Sequence, residues 1–349
     1  DALGSPDANF SEFLGKTRTI VSGTLVGIGY RASGVIQNIF DWVIIDEAGR
    51  AAPSELAVAM QAGHRILLVG DHLQLPPTYP EGVRDEMRRR YNASDESPMF
   101  ASDFARMFDS EYGSTVGATL LTQYRMAPDI GELVSDCFYS GRLKTGRGAP
   151  PEYYDFLPEH LRTQIAWIDT TALGSRALEQ SSDDGVNRWN MMEARIVMGL
   201  LQQIIEADDF VAFMEDYLQP NEPAIGVICM YSKQREVIDK MVSEAVWLEN
   251  RRRLLKVDTV DSYQGKENRI VILSTVRNNT ALKPGFLRSS NRINVAMSRA
   301  MERLYVVGAQ RMWEGRNADL PLGQVRKRVC EMAAQERAAL LNPELFLVT

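Results

Sequence analysis

Short apolar runs rich in β-branched residues recur along the chain, and they restrict the fold more than any other feature. Each run is bounded by charged or turn-forming residues: Thr19–Val21, Val43–Ile45, Ile66–Val69, Ile165–Ile168, Ile225–Ile228, Ile270–Leu273 and Leu304–Val307. Continuous apolar runs of this length predict strands that are buried on both faces, as in a parallel sheet. Amphipathic helical patterns lie between them, most clearly over 187–206 and 234–249. This alternation predicts an α/β fold with mostly parallel sheets.

The chain has 349 residues, which is too long for one ordinary core and suits about two domains. A boundary near 113–118 predicts a first domain over 1–117 and a second over 118–349. Residues 80–112 are polar and charged and are predicted to form an insertion or a surface excursion. Residues 175–185 are small, polar and charged, which predicts a flexible loop.

Composition excludes several classes of protein. The net charge of −7 rules out a wholly basic surface, so any bound nucleic acid needs a local basic groove. Three scattered cysteines and three dispersed histidines predict neither a disulfide framework nor a zinc site, and a reducing cytoplasm fits best. No apolar run reaches the ~18 residues of a membrane span. The first residues resemble no signal peptide, and because the chain lacks a starting methionine we expect a longer parent protein.

Two carboxylates follow one of the predicted strands. Val43–Ile45 leads directly into Asp46 and Glu47. Ligand crevices open at the carboxyl edge of parallel sheets, where an aspartate can hold Mg²⁺ and a neighbouring glutamate can polarise the water that attacks a γ-phosphate. A strand that simply ends in an Asp-Glu turn is the alternative.

A second polar loop follows the next strand. Ile66–Val69 is followed by Gly70-Asp71-His72-Leu73-Gln74-Leu75-Pro76-Pro77. Gly70 permits a tight exit from the strand, Gln74 can sense a γ-phosphate, and the two prolines stiffen the backbone. A proline-bounded loop with no role in binding is the alternative, and the neighbouring Asp-Glu pair makes it less attractive.

Three further motifs complete a recognisable series: Gln123-Tyr124-Arg125-Met126, the DTVDSYQGKE segment over 258–267, and the NVAMSRA segment over 294–300. Together with the two strand-end motifs, their order resembles motifs II to VI of superfamily-one helicases. The branch that contains the nonsense-mediated-decay helicase and senataxin-like proteins is the most similar. The resemblance spans residues 19–309. It implies two RecA-like lobes, ATP and Mg²⁺ as cofactors, and single-stranded nucleic acid as partner.

The resemblance also implies roles in hydrolysis for particular residues. Asp46 is expected to bind Mg²⁺, Glu47 to act as the base, and Gln74 to couple the γ-phosphate to movement. Arg125 and Arg299 resemble the two arginines that reach the γ-phosphate from the second lobe. A planar, always-charged guanidinium suits that task, although a surface ion pair is the ordinary role of an isolated arginine.

Three residues are implied in binding the nucleoside. Tyr124 resembles the aromatic residue that stacks on adenine, Gly265 lets the backbone approach the nucleotide, and Glu267 resembles a ribose contact. A solvated Lys266-Glu267 surface is the alternative. The two carboxylates and the two arginines are expected to face each other across one cleft between the lobes.

Nucleic-acid contacts are implied at four positions. Thr24 and Thr259 resemble residues that hold phosphates through hydroxyl and backbone groups. Pro76 and Pro77 are expected to border the channel that binds the nucleic-acid strand. Such contacts give affinity without sequence recognition. Thr24 as an ordinary strand-end residue remains open, and the arginines of 251–253 are interpreted as a solvated helix end.

The phosphate-binding Walker A loop, GxxxxGK[ST], should lie between a strand and a helix. Gly15-Lys16-Thr17 resembles its end, but polar residues precede it and the apolar run Thr19–Val21 follows where a helix is needed. We therefore interpret this tripeptide as a surface turn and expect a first lobe that is truncated at its N-terminus.

The sequence predicts the C-terminal motor portion of an ATP-dependent helicase or translocase, inactive by itself without a Walker A loop. The alternative function is a non-catalytic nucleic-acid-binding or scaffold module with a decayed ATPase site. A monomer is expected. The residues do not distinguish DNA from RNA.

Overall fold

The computed structural model describes residues 17–29, 39–92, 97, 100–183, 185, 187–219, 222–248, 250–263 and 265–347. The chain divides into two compact units, Asp1–Thr119 and Leu120–Thr349.

The first unit is built around two parallel strands, with Phe40 paired to Gly63 and Ile45 paired to Leu68. Its described elements are α1 (Leu25–Gly29), β1 (Phe40–Ile45), a 3-10 turn (Ala48–Arg50), α2 (Pro53–Met60), β2 (Gly63–Leu68), α3 (Glu81–Tyr91), α4 (Asp103–Phe108) and α5 (Glu111–Val116). α3 has no buried residue, whereas Phe104 of α4 belongs to the core.

Only one face of this small sheet is covered by described residues. Ile45 packs with Leu56 of α2 and with Phe104, and side chains alternate along a strand, so the neighbouring side chains point the other way. Trp42 is 53% exposed and Ile44 66% exposed. The expectation that these strands are buried on both faces is therefore wrong for the described part of this unit.

The strand predicted at Thr19–Val21 is also not observed. These residues are irregular, and Ile20 is exposed. A β-branched apolar run becomes a strand only where a neighbouring strand accepts its backbone hydrogen bonds, and the described residues supply no neighbour here.

The second unit contains a six-stranded parallel sheet in the order β12-β5-β11-β10-β8-β9. Its strands and α-helices are β3 (Thr122–Gln123), α6 (Pro128–Phe138), β4 (Lys144–Thr145), β5 (Ile165–Asp169), β6 (Gln180–Ser181), β7 (Arg188–Trp189), α7 (Met191–Ile205), α8 (Asp208–Asp216), β8 (Ile225–Cys229), α9 (Ser232–Glu244), β9 (Leu255–Thr259), β10 (Asn268–Ser274), α10 (Ser290–Met297), β11 (Ala300–Gly308), α11 (Pro321–Ala333) and β12 (Ala338–Leu341). Short 3-10 helices occupy Glu152–Phe156, Glu159–Leu161, Thr170–Ala177, Val246–Leu248, Arg252–Leu254, Val260–Ser262, Gly285–Arg288, Gln310–Trp313, Gly315–Asn317 and Pro343–Phe346.

The predicted α/β fold with mostly parallel strands is confirmed in this sheet. The four apolar runs that start at Ile165, Ile225, Ile270 and Leu304 form its inner strands, and their side chains are almost completely buried. The two edge strands were not predicted from the sequence. β9 alternates apolar and charged residues and β12 is only four residues long, so neither is a continuous apolar run.

Local boundaries shift where capping groups or turns intervene. The helix predicted over 187–206 is α7, whose first turn is capped by the Asn190 side chain accepting from the Glu193 backbone N–H at 3.1 Å. The helix predicted over 234–249 is α9, which ends where Ala245 becomes extended. The predicted flexible loop at 175–185 instead contributes β6 to a short antiparallel hairpin with β7.

α7 contributes much of the core of the second unit. It buries Ile196, Leu200 and Ile204 against the sheet and against Phe210 of α8. Among the described residues, no helix is both long and apolar enough to cross a bilayer.

Candidate functional site

In the first unit, the backbone brings the ends of β1 and β2 together. The Val69 N–H donates to the Ile45 carbonyl at 2.8 Å, and the Ala48 N–H donates to the Val69 carbonyl at 2.9 Å. The pairing therefore continues past both strands, and Asp46 and Glu47 lie beside the loop that starts at Gly70.

Two glycines allow this close approach. A Cβ on Gly70 would lie 2.8 Å from the backbone nitrogen of Gly49, and a Cβ on Gly49 would lie 2.9 Å from the Asp71 carbonyl oxygen. Gly70 was expected to permit a tight exit from the strand. The structure shows instead that glycine is required at position 70 because the loop after β2 lies too close to the loop after β1 for a side chain.

The two carboxylates of the first loop are exposed. Glu47 has a left-handed backbone, with φ 53° and ψ 32°, which turns the chain sharply after the strand. Its backbone N–H donates to Asp46 Oδ1 at 2.8 Å. A left-handed non-glycine residue at a strand end is a conformation that often accompanies function.

Gln74 is held by Asp71, a residue with no role predicted from the sequence. Its Nε2 donates to Asp71 Oδ2 at 2.9 Å, while Asp71 Oδ1 accepts from the Leu73 backbone N–H at 2.9 Å. Asp71 thus closes the turn and orients the glutamine. An aspartate three residues before a glutamine in a turn was the available signal.

The predicted nucleic-acid residues of the first unit have ordinary local surroundings. Thr24 Oγ1 accepts from the Gly27 backbone N–H at 3.0 Å, so it caps α1. Pro76 is exposed, whereas Pro77 is buried.

In the second unit, Gln123 builds the loop that presents Tyr124 and Arg125. Its Oε1 accepts from the backbone N–H groups of Arg125 at 2.9 Å and Met126 at 2.7 Å. Its Nε2 donates to the Met126 carbonyl and to Thr145 Oγ1, each at 2.9 Å. With its backbone fixed in this way, Tyr124 leaves 72% of its surface exposed.

Three predicted residues meet at the amino-terminal edge of the sheet. Arg125 forms an ion pair with Glu267, and its Nη1 lies 3.4 Å from the Ser298 carbonyl oxygen. Glu267 precedes β10 and Arg299 precedes β11, and the Asn268 N–H donates to the Arg299 carbonyl at 3.1 Å. The structure thus joins motifs that are far apart in sequence.

Arg299 is buried, with 2% of its surface exposed. Its Nε donates to the Val295 carbonyl at 3.2 Å and its Nη1 to the Lys266 carbonyl at 3.3 Å. In this conformation the guanidinium supports the backbone next to Glu267. Gly265 has φ 77°, and no described atom lies within 4 Å of the position that a Cβ would take.

Thr259 lies away from these residues. It ends β9 and pairs with Cys229, which in turn pairs with Ser274 at the carboxyl end of β10. Ser274 is six residues from Asn268, which corresponds to about 20 Å along a strand. The structure therefore separates Thr259 from the group formed by Arg125, Glu267 and Arg299.

A buried polar network that was not predicted from the sequence fixes the carboxyl edge of the same sheet. Glu193 accepts from Ser274 Oγ and from the Val276 backbone N–H, each at 2.8 Å, and burial raises its pKa to about 8. Gln234 Nε2 donates to Ser274 Oγ at 3.0 Å. Val276 is left-handed, with φ 68°, so this network holds a strained backbone turn. The sequence signal for this network is the polar segment Met230–Gln234, which directly follows the strand predicted at Ile225–Ile228.

The chain matches the family described as "AAA domain" over residues 99–311 and again over residues 5–80. It is 30% identical to "Helicase SEN1" of Saccharomyces cerevisiae, matching 84% of this chain and 12% of that protein. It is 29% identical to "Probable helicase senataxin" of Homo sapiens, with 84% and 10% covered. It is 26% identical to "DNA replication ATP-dependent helicase/nuclease DNA2" of S. cerevisiae, with 86% and 19% covered.

The chain thus spans less than a fifth of the length of these three relatives. The matched regions include all five motifs, and the parallel α/β architecture fits two RecA-like lobes. The chain therefore belongs to the superfamily-one helicases of the senataxin-like branch.

Proposed function

We propose that this chain is the C-terminal motor portion of an ATP-dependent helicase or translocase that moves along single-stranded nucleic acid. The observation that carries the proposal is the joining of Arg125, Glu267 and the segment around Arg299 at one edge of the sheet. The parallel pairing of β10 with β11 brings Glu267 and Arg299 together, and the Arg125 side chain joins a third motif to them.

Glu47 is the proposed base. Its carboxylate is exposed after a strand end. It would accept a proton from a water molecule, and that water would then attack the γ-phosphate. Gln74, oriented by Asp71, is the proposed sensor that couples the state of the phosphate to movement of the loop that carries Pro76 and Pro77.

Asp46 fits Mg²⁺ as a single protein ligand. Mg²⁺ keeps most of its waters and binds through one or two carboxylates together with substrate phosphates, and Asp46 offers an exposed carboxylate after the strand. When bound, the ion would neutralise developing charge on the phosphates. Asp46 would orient it, and the Glu47 N–H on Asp46 Oδ1 fixes the rotamer of that carboxylate.

The proposed nucleoside contacts lie in the second unit. Tyr124 presents an exposed ring for adenine, Glu267 offers a carboxylate to the ribose hydroxyls, and Gly265 leaves open space beside the backbone. ATP would lie between the two lobes, and Arg125 must leave Glu267 to reach the phosphates. Arg299 reaches them only after a rotamer change, because its guanidinium is committed to backbone carbonyls.

Single-stranded nucleic acid is proposed to contact Thr24, Pro76, Pro77 and Thr259 through its backbone. Hydroxyl and main-chain donors of this kind bind phosphates without sequence preference. We also propose that the chain is monomeric and lies in the cytoplasm.

We also propose that residues 1–117 are a partial first lobe and that the Walker A loop comes from further sequence in the parent protein. The exposed side chains of Trp42 and Ile44 on one face of the small sheet support this, because parallel sheets are normally covered on both faces. This chain alone should then bind ATP weakly and hydrolyse it negligibly.

The test compares this chain with the parent protein. Isothermal titration should find no tight ATP binding to the chain, whereas the parent protein should hydrolyse ATP faster when single-stranded DNA or RNA is added. Glu47→Gln should abolish that stimulated rate. A parent protein that binds nucleic acid normally but shows no stimulated hydrolysis would support the scaffold alternative instead.

A further inference from the structure

A row of nearly parallel aromatic rings crosses the surface of the second unit. The ring centroids of Phe156 and Phe213 are 5.4 Å apart and their planes differ by 5°. The corresponding centroid distance and interplanar angle are 6.5 Å and 13° for Phe213 and Tyr153, and 5.4 Å and 19° for Tyr153 and Tyr217. We call these four residues the aromatic row. Three of its members are half-exposed: Phe156 by 50%, Phe213 by 47% and Tyr217 by 57%.

The row is anchored in the core, so its geometry is preformed. Tyr153 is buried and packs on Phe210 at 5.8 Å, and Phe213 and Tyr217 lie four residues apart at the end of α8. Folded domains seldom leave several large aromatic side chains exposed side by side, and aromatic residues are enriched where proteins bind partners. A rigid row of rings can bind without first paying the entropy of ordering them.

The two elements that carry the row are strongly acidic. The 3-10 helix Glu152–Phe156 and α8 contain no lysine or arginine, and their carboxylates are Glu152, Asp155, Asp208, Asp209, Glu215 and Asp216. Arg251 pairs with Asp208 at 2.7 Å and Arg253 pairs with Glu215 at 2.5 Å.

The other four carboxylates have no ion pair within the described residues. Asp155 precedes Phe156 in the chain, and Asp209 and Asp216 lie about one helical turn from Phe213. Two further described cations lie beside the rings: Arg269 Nη2 donates to the Tyr217 carbonyl at 2.9 Å, and the Arg303 guanidinium lies 4.3 Å from the centroid of the Tyr154 ring, which stacks on Tyr153. The six carboxylates outnumber the neighbouring arginines, so the net charge around the rings is negative.

This charge decides between two kinds of ligand. Nucleobases also stack on exposed aromatic rings, but the grooves that bind single strands are positive, and carboxylates would repel the phosphates. A guanidinium group meets both features, because it stacks on ring faces and forms paired hydrogen bonds with carboxylates.

We propose that the aromatic row is a docking surface for an arginine-bearing basic segment of a partner protein. Guanidinium groups would lie on the outer faces of the terminal rings Phe156 and Tyr217 and along the exposed edge of Phe213, and would pair with Asp155 and Asp216. None of the four residues of the aromatic row is among those proposed to bind ATP, so the docking proposal does not rest on the motor proposal.

The test uses the whole 349-residue chain and fluorescence anisotropy. The probe is a labelled short peptide with four arginines spaced by Gly-Ser. The matched probe replaces each arginine by citrulline, which keeps the planar group and removes its charge. A labelled single-stranded oligonucleotide is the third probe. We expect saturable binding of the arginine peptide, and at least about tenfold weaker binding of the citrulline peptide, a difference of ~1.4 kcal/mol.

Two variants locate the binding. Phe213→Ser removes a ring, and the double change Asp155→Asn with Asp216→Asn removes charge while leaving the rings and the packing intact. Each should weaken the arginine peptide at least about tenfold, while Asp319→Asn, an exposed carboxylate elsewhere, should not. Circular dichroism checks the fold of each variant.

Each of the following results would overturn the proposal. The arginine and citrulline peptides could bind equally, the double Asp→Asn variant could bind like the wild type, or the oligonucleotide could bind in a way that Phe213→Ser abolishes. Concentration-dependent self-association that the same variants abolish would assign the row to a second copy of the chain, and would also contradict it.

Discussion

Arg125 and Glu267, separated by 142 positions in the chain, form an ion pair at the amino-terminal edge of the large sheet. Both are partly exposed, so the pair is weakly stabilising by itself and can open at little cost. In the proposed function, the phosphate and ribose groups of ATP would replace each partner's contact, so this pair would be the resting state of the proposed nucleotide site.

Arg125 and Glu267 should therefore have separable kinetic effects. In the parent protein, Arg125→Ala should lower kcat for nucleic-acid-stimulated ATP hydrolysis by on the order of 10³, because a guanidinium stabilises charge that develops during transfer. Glu267→Gln should mainly raise KM for ATP, by roughly the tenfold that one lost hydrogen bond to a charged group allows. Arg176→Ala, which breaks an exposed pair with Glu344, is the control. Equal effects of both changes on kcat and KM would argue against these roles.

Asp71 should act through Gln74. Asp71→Ala releases the Gln74 side chain and opens the turn, so kcat should fall by about 10²-fold while ATP affinity changes little. Gln74→Ala should have a similar effect, and the double variant should be no slower than the slower single variant, because the two residues act as one unit. Steady-state hydrolysis and equilibrium binding of ATP measure both quantities. If the two losses multiply in the double variant, Asp71 has a role of its own.

Gly70 should be required for stability of the first unit. A Cβ there would meet the backbone nitrogen of Gly49 at 2.8 Å, and overpacking of this kind costs about 1–3 kcal/mol. Gly70→Ala should accelerate hydrogen exchange over residues 40–68, measured by mass spectrometry. Gly82→Ala is the matched control, since Gly82 lies in α3 with open space around it, and alanine should leave exchange unchanged or slower. Equal exchange in both variants would contradict the close approach of the two loops.

Glu193 should make stability depend on pH. Burial raises its pKa from the ordinary 4.5 to about 8 in the folded protein, so the unfolded state loses the proton first as pH rises. The favourable contribution is complete below pH 4.5 and is lost between 4.5 and about 8, with a slope of about 1.4 kcal/mol per pH unit.

Glu193→Gln, which matches the shape of the protonated acid, should remove this component. The free energy of urea unfolding of the variant minus that of the wild type should increase as pH rises from 5 to 8, because only the wild type loses stability over this range. Glu152→Gln, at an exposed carboxylate, is the control. A Glu193→Gln variant whose pH profile parallels the wild type would show that Glu193 titrates normally.

Local patterns predicted the inner strands of the large sheet because a strand buried on both faces must be apolar throughout. The same rule failed at Thr19–Val21 and at Ile44, where the outcome depends on whether another segment covers the strand. An apolar run carries no information about its neighbours in space. The edge strand β9 was missed for the converse reason, since its lysine and aspartate are tolerated where one side of the strand is open.

The candidate site was predictable as a set of motifs and not as a set of contacts. Tyr124, Arg125, Glu267 and Arg299 were found through the family resemblance, but the pairing of Arg125 with Glu267 depends on the register of β10 against β11. The burial of Arg299 depends on the position of α10, whose Val295 carbonyl accepts a hydrogen bond from Arg299 Nε. Asp71 and Gln123 lie within the quoted motifs without a predicted role, because each acts by fixing the turn around it, and the partners of such residues are identified from coordinates.

The central claim is that Glu47 and Arg125 act on the same reacting nucleotide, and a double-variant cycle tests it most directly. Single-turnover hydrolysis of radiolabelled ATP would be measured for the parent protein with Glu47→Gln, Arg125→Ala and both changes together. If both residues serve one transition state, the double variant should be within about threefold of the slower single variant. A double variant slowed by the full product of the two single effects would mean independent roles, and would contradict the account.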